Sequence, residues 1–191
     1  MPNDPSEEFP RSDPAVTPDG PEQQEDPAPK RKGMVVVYHG EGAGKETASL
    51  GVLFRAHGRG LPVRHMRFRA IEPGLTSGDD LALTKLNVPS DVITDASQTG
   101  AQQLWRVANL HLTIIQEGVL VLEGLLDAIN SGWIPVSAVV DSLSLKSQQV
   151  HVIITGESAL TELLEIADLV SHMRAIKERP TDAVAIAGID F

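Results

Sequence analysis

The run Val35-Val36-Val37-Tyr38-His39 leads into Gly40-Glu41-Gly42-Ala43-Gly44-Lys45-Glu46-Thr47, the stretch with the clearest chemistry in the chain. An apolar run, a glycine-rich turn and the start of a helical segment are the parts of an anion cradle. Glycines let backbone N–H groups converge, the helix N-terminus points its positive end at the anion, and Lys45 adds a full charge. Two common glycine patterns fit only in part. In G-x-x-x-x-G-K-[ST] the first glycine falls on His39 and the last position on Glu46, so only Gly44-Lys45 match. In G-x-G-x-x-G the third glycine comes early, at Gly44. A ligand-free glycine turn is the plain alternative.

Glu46 stands where such loops place a hydroxyl to hold Mg²⁺. Its carboxylate suits that ion directly. Without a cation, a carboxylate about 4 Å from a phosphate charge costs on the order of 4 kcal/mol at an effective dielectric near 20. A third possibility is a plain first-turn acid favoured by the helix dipole. Thr47 does not replace the hydroxyl, because one residue along a helix turns the side chain by about 100°. The second candidate is Glu123, at the end of Val119-Leu120-Val121-Leu122 and followed by Gly124. An acid at the end of an apolar strand reaches a metal or its water in phosphate-transferring sites. A carboxylate that caps the next helix or faces solvent is the alternative.

Positioning these residues takes alternating elements. Residues 34–39, 63–68, 119–123, 150–155 and 183–189 read as strands, several of them apolar on consecutive positions, as strands covered on both faces are. Between them, 45–57, 98–115, 136–143 and 159–170 read as helices, with Leu160, Leu163, Leu164 and Ala167 on one stripe. That order predicts an α/β fold with a mostly parallel central sheet between two helical layers. Residues 70–97 are the least regular part and read as a surface excursion near the site.

Composition sets the outer limits. Residues 1–32 hold eight of the thirteen prolines and eight acids, and little large apolar surface beyond Phe9 and Val16. They read as a disordered acidic arm ahead of a folded segment 33–191. Of 26 acids and 16 bases, 18 and 14 lie beyond residue 30, so residues 1–30 carry −6 of the chain's −10 charge and the remainder only −4. This argues against broad nucleic-acid binding. The chain has no cysteine, which excludes disulfides and thiolate metal sites. No apolar run reaches membrane-spanning length, and the acidic, Pro-rich beginning lacks the pattern of a signal peptide, so a cytoplasmic location is expected.

With these features the chain resembles the P-loop ATP:corrinoid adenosyltransferases over roughly residues 33–191, residues 70–97 apart. That family's loop has the form G-N-G-K-G-K-T-T, here Gly40-Glu41-Gly42-Ala43-Gly44-Lys45-Glu46-Thr47. Ala48, Gly51, Arg55, Ala56, Gly58 and Gly60 keep its helix spacing, and Trp105 and Ala108 match W-x-x-A. Ile153-Ile154-Thr155-Gly156 matches I-I-T-G, and residues 163–171 resemble an L-x-E-x-A-D-x-V-[ST] helix. Arg174, Lys177 and Gly188-Ile189-Asp190-Phe191 resemble its ending. The resemblance implies a P-loop NTPase-like three-layer fold, ATP and Mg²⁺, and a reduced corrinoid as second substrate. It implies a homodimer and a reductant protein as partners. It places residues 40–47 around the triphosphate, Lys45 and Glu123 in catalysis, and Glu46 and Glu123 on the metal.

The departures fall on the same chemical positions. The family's metal-binding Thr is Glu46, and its Asp-Glu pair is Glu123-Gly124. Its G-F-T-W stretch, which helps exclude the corrinoid's lower ligand, has no counterpart in Asp95-Ala96-Ser97-Gln98-Thr99-Gly100. I-T-G-R becomes Ile154-Thr155-Gly156-Glu157, and the first loop lysine becomes Ala43. A second reading therefore stands beside transfer of the 5′-deoxyadenosyl group to Co(I): a degenerate paralogue that binds nucleotide, corrinoid or protein without turnover. Six histidines show no metal-ligand spacing, and Arg67 reads either as a phosphate contact at a strand end or as part of a solvated strand face with Arg64 and Arg69. Trp133 reads as a packing residue.

Overall fold

Long strands of this chain are apolar on consecutive residues because alternate side chains enter two different cores. The computed structural model describes residues 32–70, 77–177, 180, 184 and 186–189. Among them the strands are β1 (Val35–His39), β2 (Val63–Arg67), β3 (Ser90–Val92), β4 (Glu117–Glu123), β5 (Gln149–Gly156) and β6 (Leu169–His172). The helices are α1 (Lys45–Gly58), α2 (Gly78–Lys85), α3 (Gln98–Ile114), α4 (Leu125–Asn130), α5 (Val136–Leu145) and α6 (Thr161–Ile166). All six strands form one sheet of order β3-β2-β4-β5-β1-β6, and every pairing is parallel.

Parity sorts the side chains. Val35, Val37, Leu120, Leu122, Val150, Val152 and Ile154 point to one face, where α3, α4, α5 and α6 supply Leu104, Leu112, Leu126, Val139 and Leu163. Val36, Val119, Val121 and Ile153 point to the other, against Leu50, Leu53 and Ala56 of α1 and Leu83 of α2. The result is the P-loop NTPase-like three-layer α/β architecture. In a parallel sheet all strands end at one edge, and β1, β4 and β5 bring His39, Glu123 and Gly156 to it together.

Three expectations change. Helix 159–170 is cut to Thr161–Ile166, and its last two residues belong to β6. Ala167 turns to extended backbone at ψ 134° because Asp168 locks onto the start of β1. Its carboxylate accepts from Val35 N–H at 2.7 Å and its own N–H donates to Val35 O at 2.8 Å. The chain must then run alongside β1, so 169–172 fills the sheet edge. The predicted strand 183–189 is not one at its described residues. Residues 187–189 form a turn closed by Ile189 N–H on Ile186 O at 3.1 Å, and the remaining positions lie outside the described residues. Finally, 70–97 is more than an excursion: α2 and β3 lie in it, and Leu83 and Val88 are buried in the α1-side core. Residues 71–76 and the predicted arm through residue 31 are outside the described set.

Candidate functional site

The glycine loop turns from the end of β1 into α1. Gly44 is the N-cap of α1, with φ 101° and no side-chain cap. Ala48 N–H is the first of the helix to find a carbonyl, Gly44 O at 2.8 Å. The N–H groups of Ala43, Gly44, Lys45, Glu46 and Thr47 have no acceptor among the described residues, the usual condition of a helix start. Lys45 is 7% exposed, and its ammonium donates to Gly42 O at 2.8 Å, across the loop. A row of unclaimed donors thus stands beside one buried ammonium. Glu41 and Ala43 are exposed, as is Thr47, while Glu46 is half-buried in the first helical turn.

The loop has a backing that sequence alone did not reveal. Residues 172–174, continuing from β6, run against it: Met173 N–H donates to His39 O at 2.7 Å, and Gly42 N–H donates to Met173 O at 2.9 Å. Gly40 N–H donates to Glu157 O at 2.8 Å from the end of β5. A Cβ at Gly40 would lie 2.2 Å from Met173 O, and the φ of 114° there is one that side chains rarely adopt. So Gly40 is required by backbone crowding as well as by turn geometry.

Glu123 lands in a buried ion network. Parity puts His65, Arg67, Val121 and Glu123 on the α1 side of the sheet, and register sets Arg67 opposite Glu123 and His65 opposite Ser90. Arg67 Nε donates to Glu123 Oε1 at 2.8 Å, while Glu123 Oε2 meets His65 Nε2 at 2.8 Å. Arg67 Nη1 reaches Asp80 of α2 at 3.0 Å, and His65 Nδ1 meets Ser90 Oγ at 2.9 Å. Burial pushes the Glu123 carboxyl up, but His65, Arg67 and Arg69 outweigh it and hold the group below its ordinary value. Burial likewise opposes charge on Arg67, yet Glu123 and Asp80 together hold it above its usual value. Arg67 is 3% exposed, so it is neither on a solvated strand face nor a free phosphate contact.

Beyond Glu123, Gly124 caps α4 at φ 72°, its N–H donating to Thr155 Oγ1 at 3.0 Å. Asp127 Oδ1 accepts from Glu157 N–H at 2.8 Å. Burial pushes the Asp127 carboxyl up, and the charges of Glu157 and Glu46 push it further. The strand-end edge therefore carries unpartnered loop amides and Lys45 on one side and carboxylates on the other.

A sequence model of the family "ATP:corrinoid adenosyltransferase BtuR/CobO/CobP" matches residues 31–191. The chain belongs to the ATP:corrinoid adenosyltransferase family. It is 29% identical over 176 residues to the corrinoid adenosyltransferase of Escherichia coli (strain K12), covering 86% of this chain and 88% of that one. Against the corrinoid adenosyltransferase of Pseudomonas aeruginosa it is 26% identical over 175 residues, 84% of each chain. Against the corrinoid adenosyltransferase CobA of Salmonella typhimurium it is 27% identical over 175 residues, 86% of this chain and 88% of that one.

In this family member, the fold places Gly40, Glu41, Gly42, Ala43 and Gly44 in the loop and Lys45, Glu46 and Thr47 in the first turn of α1, all at the strand-end edge. It does not leave Glu123 free beside them, since both carboxylate oxygens are engaged by Arg67 and His65. No group of three or more His, Cys, Asp or Glu among the described residues is arranged to hold a metal ion. The side chains at this edge therefore do not fit a Mg²⁺ held through Glu123, while Glu46 lies near enough to Asp127 for its charge to push that carboxyl up. Sequence reasoning missed the Arg67–Glu123–His65 network. The signal was present as charged residues at positions 65 and 67 of a two-face-covered strand, where a charge must find a partner. It also missed the 172–174 backing, which follows from an element boundary that periodicity placed wrongly.

Proposed function

We propose that the chain uses its glycine loop to hold the polyphosphate of ATP and transfers the 5′-deoxyadenosyl group to Co(I) of a reduced corrinoid. In that reaction the cobalt electron pair forms a bond to C5′, the C5′–O5′ bond breaks, and triphosphate leaves with the electron pair. The observation that carries the reading is the row of unpartnered N–H groups from Ala43 to Thr47 beside the buried Lys45 ammonium, in a member of this family. Donors fixed in advance stabilise negative charge that grows on a leaving triphosphate without having to reorganise. Lys45 exchanges its bond to Gly42 O for a phosphate oxygen. Homodimerisation, a reductant protein that supplies Co(I), and a cytoplasmic setting belong to the same reading. No described helix is long and apolar enough to cross a membrane.

One observation favours a second reading. Glu123 is consumed by an internal ion network, and its neighbour is Gly124, so the edge offers no pair of free carboxylates. That supports a paralogue which binds nucleotide or corrinoid without turnover. The test is to mix the chain with ATP, Mg²⁺ and chemically reduced corrinoid and follow decay of the Co(I) absorbance, with melting temperature read in parallel. Adenosylated product supports the transferase. An ATP-dependent rise in melting temperature without product supports the binding paralogue, and neither signal eliminates the polyphosphate reading.

A further inference from the structure

The backing of the glycine loop ends in two imidazoles. His39 closes β1 and His172 closes β6, and the two are register partners in the parallel pairing. Their ring centroids lie 4.7 Å apart with planes tilted by 34°. We propose that His39 and His172 form a proton-sensitive latch that keeps the 172–174 segment fastened to the glycine loop, and that a second proton on the pair releases it.

The segment is built to release. It follows a four-residue edge strand paired on one side only, in which Leu169, Val170 and His172 are exposed. Its hold on the loop is two backbone hydrogen bonds, Met173 N–H to His39 O and Gly42 N–H to Met173 O. Losing them leaves the other five strands paired as they are, so opening is local. The charged groups around the rings set the response. On the loop, Glu41 Oε2 lies 3.6 Å from His172 Nε2, which gives one proton on the pair a counter-charge. On the segment itself, Arg174 adds a positive charge felt by Glu41. From β5, Gly156 is the register partner of His39 and precedes Glu157. A second proton has no such partner, because it places like charges on rings in contact. Burial and then His172 both hold the His39 imidazole below its ordinary value, in keeping with a pair that resists double charging. When the segment lifts, Gly42 N–H loses its acceptor and joins the unpartnered donors of the loop. The latch concerns bonds within the protein, so it stands apart from the polyphosphate reading and is tested without nucleotide.

The experiment is amide hydrogen exchange of the full chain by NMR between about pH 7.5 and pH 5, with each rate divided by the intrinsic rate at that pH. Protection of Gly42 is expected to fall about fivefold on acidification, the scale set by repulsion between two solvent-screened charges at this separation. Protection of Ile153, in the middle of β5, stays unchanged. His172→Asn and His39→Thr remove the step. Constant Gly42 protection, a step that survives in both variants, or a fall shared with Ile153 would overturn the latch. Should either variant fail to fold, the imidazole resonances of the native chain decide. Two separated, mutually dependent steps support the pair, and two independent steps sink it.

Discussion

Replacing Arg67 by leucine tests the ion network against the family role expected for Glu123. The guanidinium is buried and bridges Glu123 and Asp80, each at 2.8–3.0 Å. Removing it leaves a 2%-exposed carboxylate with His65 and, at 4.0 Å, the exposed Arg69, and strands Asp80, whose Oδ1 already has no hydrogen-bond partner among the described residues. Breaking a buried ion pair from one side costs roughly 3–5 kcal/mol. For a domain of this size each kcal/mol moves the melting temperature by about 2–4 °C, so Arg67→Leu should melt roughly 6–20 °C lower. A double-mutant cycle with Glu123→Leu sharpens the result. The double variant has no orphaned Glu123 charge, so its loss should fall short of the sum of the single losses by about 1–3 kcal/mol. Urea denaturation followed by circular dichroism measures all four corners. If Arg67→Leu loses under about 1 kcal/mol, or the losses simply add, the charges are not coupled as described. Glu123 would then be free to serve as a ligand after all.

Lys45→Ala should abolish any ATP-dependent rise in melting temperature and, as the loss of one loop contact, change the unliganded stability by about 1 kcal/mol or less. Retention of the full rise would remove the ammonium from the binding account. Restoring family residues with Glu46→Thr and Gly124→Glu should raise ATP affinity by calorimetry at a stability cost of about 1–2 kcal/mol, because residue 124 sits at φ 72°. Unchanged affinity would show that the loop's weakness lies elsewhere. Acid stability offers a further check. The folded Glu123 carboxyl is held below its unfolded value, so its stabilisation is complete above the ordinary carboxylate range and is lost as pH falls through the depressed folded value. Glu123→Gln should therefore be less stable at neutral pH and show a flatter decline in melting temperature under acid. An equally steep decline would assign the acid sensitivity to other carboxylates.

Much of the frame was legible because local rules and tertiary context agree in it. Consecutive valines in 35–37 and the alternation of Val119, Leu120, Val121 and Leu122 need cover on both faces, and only a sheet between helical layers supplies it. Helix α1 reads from the sequence as residues 45–57, one residue short of its observed bounds Lys45–Gly58. The failures share one cause. Residues 167–170 read as the end of a helix, but Asp168 finds the main chain of Val35 across 133 positions of sequence, and two long-range hydrogen bonds outweigh a weak local preference. The 70–97 segment has little periodicity, and its described residues are placed by tertiary contacts, Leu83 and Val88 docking under α1 and β3 pairing with β2.

What the sequence determined by itself is a phosphate-type loop between a strand and a helix, carried on an α/β frame of recognisable descent. Backbone turns, glycine positions and apolar runs are set by neighbours a few residues apart, so they can be read in one dimension. The fate of each charge was decided only in three dimensions. Whether Glu123 faces a ligand or an internal cation depends on strand register, which places Arg67 opposite it and α2 above it. Whether Gly42 N–H is open to an anion depends on an edge strand formed more than a hundred residues later. Electrostatics acts through space, and the distances that govern it exist only once the chain has folded.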